Sequence, residues 1–396
     1  DVGGTSADIG VIRAGRPVLS SEEHIADFPL LIPTVAVSSI GAGGGSVIWS
    51  DRTGTLKVGP KSAGASPGPV SYGSPDATQP ALTDAFLQAG ILAPEQRLGG
   101  RLGLQAAPAA RALHRLGEPL GFDADEVADA AIRIAIAMLA AESTNVLARR
   151  GVDVPAFRMV GYGGAGPIVA ALLAEAVHID EVLIPTLPGA LSALGAARAQ
   201  LEGDLVEPVY SVLGTEVTSE VQAALARLLV RVETWLAEET ATLALNGSRV
   251  EIAAEMRYGS QGYDVTVPLD PAWLREGTLD RVAVAFHRAH ERAFGHADEH
   301  AEVRLQELRA HITGQVASPP PANVAAGASA AEPLRRNVRI GGTTHEAEVH
   351  RRDTLAPGAA LSGPAIVEQM DTTTLVPPGW RATVLGSGAI ALRRER

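Results

Sequence analysis

A chain of 396 residues has room for about two or three domains, and with 46% hydrophobic and 20% charged residues it is globular, not disordered. A formal charge of −12 without clustered Lys or Arg argues against a nucleic-acid surface, and the lack of cysteine excludes disulfides, thiolate nucleophiles and Cys-based zinc sites. Aromatics reach only 4%, so Ala, Val, Leu and Ile must build the core.

No signal peptide or membrane span is expected, since the apolar stretch Ile132–Ala141 is interrupted by Arg133 and flanked by acids. The composition fits a reducing, cytoplasmic setting. The first residue is Asp and lies inside a motif, so a preceding segment is expected.

That motif, Asp1-Val2-Gly3-Gly4-Thr5-Ser6-Ala7-Asp8, sets a carboxylate before a glycine pair, two hydroxyls and a second carboxylate. Glycines let backbone N–H groups converge on an anion, hydroxyls add donors, and Asp1 can hold a hydrated divalent metal. The same pattern also opens ordinary hairpins. Val2 and Ile9–Ile12 read as strand around the turn, and residues 33–40 lead into a second cluster, Gly41-Ala42-Gly43-Gly44-Gly45-Ser46. Short strands at Val47–Trp49 and Leu56–Val58 follow, then a Pro-rich loop over 59–73 that reads as neither helix nor regular strand. Thr83-Asp84 caps an apolar helix.

Asp123 with Glu126 forms a capping box, and Val127, Ala131, Ile134 and Met138 continue at helical spacing until Gly151 closes the helix. Phe157–Val160 is a short strand entering the third cluster, Gly161-Tyr162-Gly163-Gly164-Ala165-Gly166-Pro167, with Pro167 opening a helix. A strand, a glycine turn and a helix N-terminus together present backbone donors to a ligand. Three such clusters share one explanation in a nucleotide, because backbone N–H groups and Mg²⁺ neutralise phosphate locally even on an acidic chain. Glu181–Ile184 is the next strand, and a helix runs from Pro188 to about Gln200. Past Gly203 come a long helix from Glu216 to Leu245, ended by Asn246-Gly247, strands at Val250–Tyr258, Tyr263–Pro268 and Val303–Ile312, and a helix over Asp280–Ala293. An Ala/Pro/Gly linker and a small all-β tail complete the chain.

These glycine motifs resemble the A-type subunit of the hydantoinase/oxoprolinase family. So do Val58-Gly59-Pro60-x-Ser62-Ala63-Gly64, Thr83-Asp84-Ala85, Leu191-Ser192-Ala193-Leu194-Gly195, Arg257-Tyr258-x-x-Gln261, Gly363-Pro364-Ala365-Ile366-Val367-Glu368-Gln369 and Asp371-Thr372-Thr373-Thr374. The resemblance implies an α/β fold: an actin/Hsp70/sugar-kinase-like (ribonuclease H-like) ATPase lobe, then an α+β C-terminal domain with a β-rich tail. The expected boundaries are 1–203 for the lobe, 204–317 for the α+β domain, 318–334 for the linker, and 335–396 for a tail packing on the preceding domain. The implied activity is ATP-dependent hydrolysis of a cyclic amide or imide of the hydantoin or 5-oxoproline type, with ATP and Mg²⁺ and a B-type partner subunit. An oligomer is expected, with no nucleic-acid or membrane partner. The 396 residues alone are expected to be inactive and to bind ATP weakly, because an opposite lobe supplies the other phosphate contacts.

Carried onto this sequence, the resemblance gives Asp1 to the Mg²⁺ shell or nucleophile positioning, and Gly3, Gly4, Thr5 and Ser6 to phosphate. Gly43, Gly44, Gly45 and Ser46 border nucleotide or substrate, and Gly163, Gly164 and Gly166 the adenosine side. Asp8 is either a second catalytic, metal-shell carboxylate or a hairpin Asp bonded to its own turn. Asp84 reads as a cap in preference to a catalytic acid. Ala7, Ala36, Val169 and Gln200 depart from residues common in the family. His287, His290, His296 and His300, with Asp298 and Glu299, have metal-site density but read as a solvated, structural group. Two other readings stay open: an ATP-dependent ketone carboxylase subunit of the acetone or acetophenone type, and a non-catalytic actin-like nucleotide-binding module.

Overall fold

The computed structural model describes residues 1–20, 24–25, 28–29, 34–149, 151–259, 261–317 and 332–395. It divides into two units, Asp1–Leu191 with Ala322–Arg396, and Ser192–Pro321.

In the first unit, the helices Leu82–Gln88, Ala106–Gly117 and Ala124–Arg149 pack on one another. The third begins with the expected capping box: the Glu126 N–H donates to the Asp123 carboxylate at 2.8 Å, and the Asp123 N–H to the Glu126 carboxylate at 2.9 Å. It closes at Gly151, in the left-handed region with φ 60°, whose N–H donates to the Ala148 carbonyl. Its buried face, Val127, Ala128, Ala131, Ala135 and Leu139, meets Ala85, Ala109 and Ala112. Small side chains at such contacts let helix axes approach closely, which is how a core poor in aromatics stays dense. The stretch Ala124–Ala148 is also long and apolar enough, by length and composition alone, to cross a membrane; here one face of it packs into the core.

A five-stranded sheet stands beside these helices, in the order Met159–Val160, Glu181–Ile184, Ile390–Arg394, Trp380–Val384, Ala360–Ser362. The first pair is parallel and joined through the helix Gly166–Ala176. Its edge is then extended by the C-terminal residues, with Val182 opposite Leu392 and Ile184 opposite Ile390. The tail therefore belongs to the first unit, where the sequence suggests that it packs on the domain preceding it. Its strand Ile390–Arg394 completes the sheet, and Val182, Ile184, Trp380 and Leu392 share one core. The remaining tail strands form a second sheet, Leu334–Ile340, Thr343–Arg351, Ala365–Glu368, Thr373–Val376. Most of the 318–334 linker lies outside the described residues; Leu334 already belongs to a strand.

The second unit is α+β. A four-stranded antiparallel sheet, in the order Leu201–Val212, Val303–Val316, Leu245–Tyr258, Val265–Leu269, carries the helices Thr218–Thr240 and Leu279–Phe294 on its apolar face. Val221, Ala224, Leu225, Leu228 and Val232 recur at helical spacing and are buried against it. Two expectations change. The boundary placed at 203 falls inside the Leu201–Val212 strand, so the unit begins at Ser192. Asn246-Gly247 does not end the helix but lies at the start of a strand, beside an irregularity in the ladder between Leu245 and Ser248. The Pro-rich loop also differs: the Leu56–Ser62 strand runs through Pro60, tolerated because its partner ladder is interrupted between Val58 and Ser62.

Candidate functional site

The chain opens as a hairpin. Asp1 and Asp8 are directly opposite, the Asp1 nitrogen donating to the Asp8 carbonyl at 2.9 Å and the Asp8 N–H to the Asp1 carbonyl at 2.8 Å. Val2 bridges Ala7, and the Gly3 N–H donates to the Ser6 carbonyl at 3.0 Å, leaving Gly4 and Thr5 at the tip. Residues paired in this way project from one face of the ribbon. The two carboxylates therefore share a face, and both line one cavity of about 480 Å³. The cavity is otherwise mainly apolar, walled by Val11, Val37, Leu139, Phe157 and Met159. Asp8 also accepts a hydrogen bond from the Ser39 hydroxyl on the neighbouring strand.

The second glycine cluster lies directly behind this turn. Gly44 and Gly45 donate to the Gly3 and Gly4 carbonyls at 2.9 and 2.6 Å. A Cβ on Gly43 would stand 2.8 Å from the Gly3 oxygen, the Gly4 carbon and the Thr5 nitrogen, so the two backbones touch and only glycine fits. Gly43 and Ser46 close on each other, N–H to Oγ and N–H to carbonyl, both at 2.9 Å. Thr83 holds the cluster from the rear, its N–H and hydroxyl both donating to the Gly44 carbonyl at 2.7 and 2.8 Å. Gly43, Gly44, Gly45 and Ser46 are buried, and their donors already hold the first turn or one another. They support the turn; they do not present donors outward.

The third cluster meets the same hairpin from the other side. The Val2 N–H donates to the Tyr162 carbonyl at 2.9 Å, and Ala165 and Gly166 donate to the Val2 carbonyl at 2.9 and 3.1 Å. Gly163, at φ 90°, has no room for a side chain: a Cβ would collide with the Asp1 carboxylate and the Val2 carbonyl. Pro167 sits in the first turn of the Gly166–Ala176 helix, as its sequence position implies.

All three clusters therefore converge on residues 1–6. Among the described residues, the N–H groups of Gly4, Thr5 and Gly164 donate to no protein acceptor, and all three residues are exposed. Ser62, quoted in the sequence pattern but given no role there, stands 3.3 Å from Thr5, hydroxyl to hydroxyl, and its Oγ accepts from the Gly64 N–H at 3.1 Å. One hydroxyl of the pair donates to the other, which leaves one hydroxyl proton free to point outward. Asp84 is a buried anchor, accepting from the N–H groups of Ser71, Ala81 and Val70 at 2.7, 2.8 and 3.1 Å. It sits at the third residue of its helix, and its carboxylate holds the Pro-rich loop. Ala7, Ala36 and Val169 are buried in the core, while Gln200 is exposed.

The histidine group in the second unit is a hydrogen-bonded core. Tyr258 Oη lies 2.7 Å from His287 Nδ1 and accepts from the Asp298 N–H at 2.9 Å. His290, fully buried, lies 2.8 Å from the His296 carbonyl through Nδ1 and 2.8 Å from Gln261 through Nε2. Since a carbonyl only accepts, Nδ1 carries the proton and Nε2 accepts from the Gln261 amide. Among the described residues no group of three or more His, Asp or Glu is arranged to hold a metal ion.

The Hydantoinase/oxoprolinase family model matches residues 1–204, and that of the Hydantoinase/oxoprolinase C-terminal domain matches 214–392. The caprolactamase alpha subunit of Pseudomonas jessenii is 31% identical over 395 residues, covering 97% of this chain and 56% of that protein. The 5-oxoprolinase 1 of Arabidopsis thaliana is 26% identical, covering 100% of this chain and 32% of that protein. The crystal structure of the ATP-dependent caprolactamase from P. jessenii superposes with a TM-score of 0.72 at 29% identity, over 100% of this chain and 58% of that one. A nucleotide-free acetone carboxylase superposes with a TM-score of 0.87 at 23% identity, over 100% of this chain and 57% of that one, a likeness of fold. The chain spans little more than half the length of the caprolactamase subunit, and less of the oxoprolinase. It belongs to the hydantoinase/oxoprolinase family.

Proposed function

We propose that this chain is the ATP-using part of an enzyme that hydrolyses a cyclic amide or imide, built on an actin/Hsp70/sugar-kinase-like lobe and acting in the cytoplasm with Mg²⁺ and a B-type partner in an oligomeric complex. The observation that carries the reading is the meeting of three glycine turns beside two carboxylates, with the N–H groups of Gly4, Thr5 and Gly164 left without protein acceptors. Donors held rigidly at a turn tip suit phosphate oxygens, and their rigidity lowers the cost of organising them around a ligand. The caprolactamase and 5-oxoprolinase relatives support a ring-opening reaction.

The donor set fits magnesium. Like charges directly opposite across a hairpin are unfavourable, and a divalent cation beside Asp1 and Asp8 relieves that repulsion. Mg²⁺ in nucleotide sites takes only one or two carboxylates, its other ligands being waters and phosphate oxygens. When bound, MgATP supplies a phosphoryl group that turns an inert carbonyl oxygen into a leaving group. The chain's own residues then have positional work. The Thr5–Ser62 pair offers one hydroxyl proton, Gly4 and Gly164 offer amide protons, Asp1 and Asp8 would hold the hydrated metal, and Gly43–Ser46 keep the turn from moving.

ATP hydrolysis by the complete gene product, purified with its partner subunit, tests this against caprolactam, hydantoin, 5-oxoproline and acetophenone, each with and without bicarbonate. Release of ADP stimulated by a cyclic amide is expected. Stimulation only by a ketone with bicarbonate would move the chain to the carboxylases.

A further inference from the structure

The C-terminal residues do more than complete a sheet. Gln369–Thr372 is the turn of the hairpin that joins the strands Ala365–Glu368 and Thr373–Val376, closed by the Gln369 N–H donating to the Thr372 carbonyl at 3.0 Å. Three side chains of this one turn reach backbone atoms about the third glycine cluster. The Thr372 hydroxyl, on a residue only 2% exposed, donates to the Gly164 carbonyl at 2.8 Å. The Asp371 carboxylate accepts from the Gly189 N–H at 2.8 Å, and the Gln369 amide donates to the Thr186 carbonyl at 2.8 Å. The two loops so gripped are also tied to each other, since the Gly163 N–H donates to the Pro188 carbonyl at 2.9 Å.

We propose that Thr372 and Asp371 are positioning residues that fix the Gly163–Gly166 loop for nucleotide binding. The peptide between Gly164 and Ala165 is held at both ends, its oxygen by Thr372 and its N–H by the Val2 carbonyl. The neighbouring Gly164 N–H, exposed and without a protein acceptor, is thereby aimed before any ligand arrives. Gly189 is glycine because a Cβ there would stand 2.8 Å from the Asp371 Cβ and 2.9 Å from its carboxylate, so the second grip leaves no slack. The contacts span 182 to 208 residues of sequence, so a segment far from the glycine motifs sets their geometry. This role rests on the ATPase reading above.

The test compares Thr372→Val, which keeps the shape and removes the hydroxyl, with Thr372→Ser, which keeps the hydroxyl, in the complete gene product with its partner. Thr372→Val should raise the KM for ATP about tenfold with kcat little changed, roughly one buried hydrogen bond's worth. Amide exchange at Ala165 and Gly166, whose N–H groups both donate to the Val2 carbonyl, should quicken in the absence of nucleotide, and Thr372→Ser should restore both. Asp371→Ala, at a half-exposed position where folding is less at risk, should act in the same direction by about threefold. Unchanged exchange in Thr372→Val would overturn the grip on the loop. Faster exchange with an unchanged KM would overturn its part in binding. A wild-type complex that hydrolyses no ATP would sink the ATPase reading and the role in binding with it, while the exchange data still report whether the loop is gripped.

Discussion

Asp1 and Asp8 face each other across the first hairpin, exchanging backbone hydrogen bonds of 2.9 and 2.8 Å, so that both carboxylates project from one face toward one cavity. Two like charges in this relation repel, and a bound cation reverses the sign of the effect. Asp8→Asn, with its amide still able to meet Ser39, should raise stability without Mg²⁺ by about 0.5 kcal/mol. It should also increase the Mg²⁺ concentration needed for half-maximal ATP hydrolysis. Asp1→Asn should lower kcat by about a hundredfold or more. Melting curves with and without Mg²⁺, beside a Mg²⁺ titration of activity, check the pair. A destabilised, Mg²⁺-indifferent Asp8→Asn would make Asp8 a hairpin residue only.

Gly43→Ala tests the contact between the first two glycine clusters. The added methyl would lie 2.8 Å from three backbone atoms of residues 3–5, and backbone cannot swing aside as a side chain can. A loss of about 1–3 kcal/mol in stability is expected, together with loss of ATP turnover. Gly10→Ala is the matched control, since a Cβ there meets nothing within 4 Å. Denaturant melts and steady-state rates on the two variants should separate cleanly.

What could be read from the sequence was local. The Asp123–Glu126 capping box, the Gly151 stop and Pro167 in a first helical turn depend on neighbours within a few residues, and each appears where the pattern placed it. The glycine clusters were visible as clusters, but not which of them would present donors. That depends on Gly44 and Gly45 meeting Gly3 and Gly4 across some forty residues, a pairing no local period encodes. Thr372 escaped notice as a loop partner for the same reason. So did the place of the tail, because pairing Glu181–Ile184 with Ile390–Arg394 is a choice made by the folded sheet. Asn246-Gly247 misled because the dipeptide marks a tight turn as readily as a bulge in a long strand.

Tyr258→Phe should separate architecture from chemistry. The change leaves His287 Nδ1 and the Asp298 N–H without their shared partner in a buried network, at a cost of about 1–3 kcal/mol. The KM for ATP should stay at the wild-type value. Chemical denaturation followed at Trp fluorescence, with ATP kinetics on the same preparation, measures both. A metal-dependent change in activity in this variant would contradict the structural role given to the histidine group.

The most direct measurement of the central claim is ADP release by the complete gene product with its partner subunit, at saturating Mg²⁺, with and without caprolactam, hydantoin or 5-oxoproline. The account predicts ATP hydrolysis that rises with at least one of these cyclic amides and is abolished by Asp1→Asn. ATP hydrolysis indifferent to all three, or equally fast in Asp1→Asn, would contradict it.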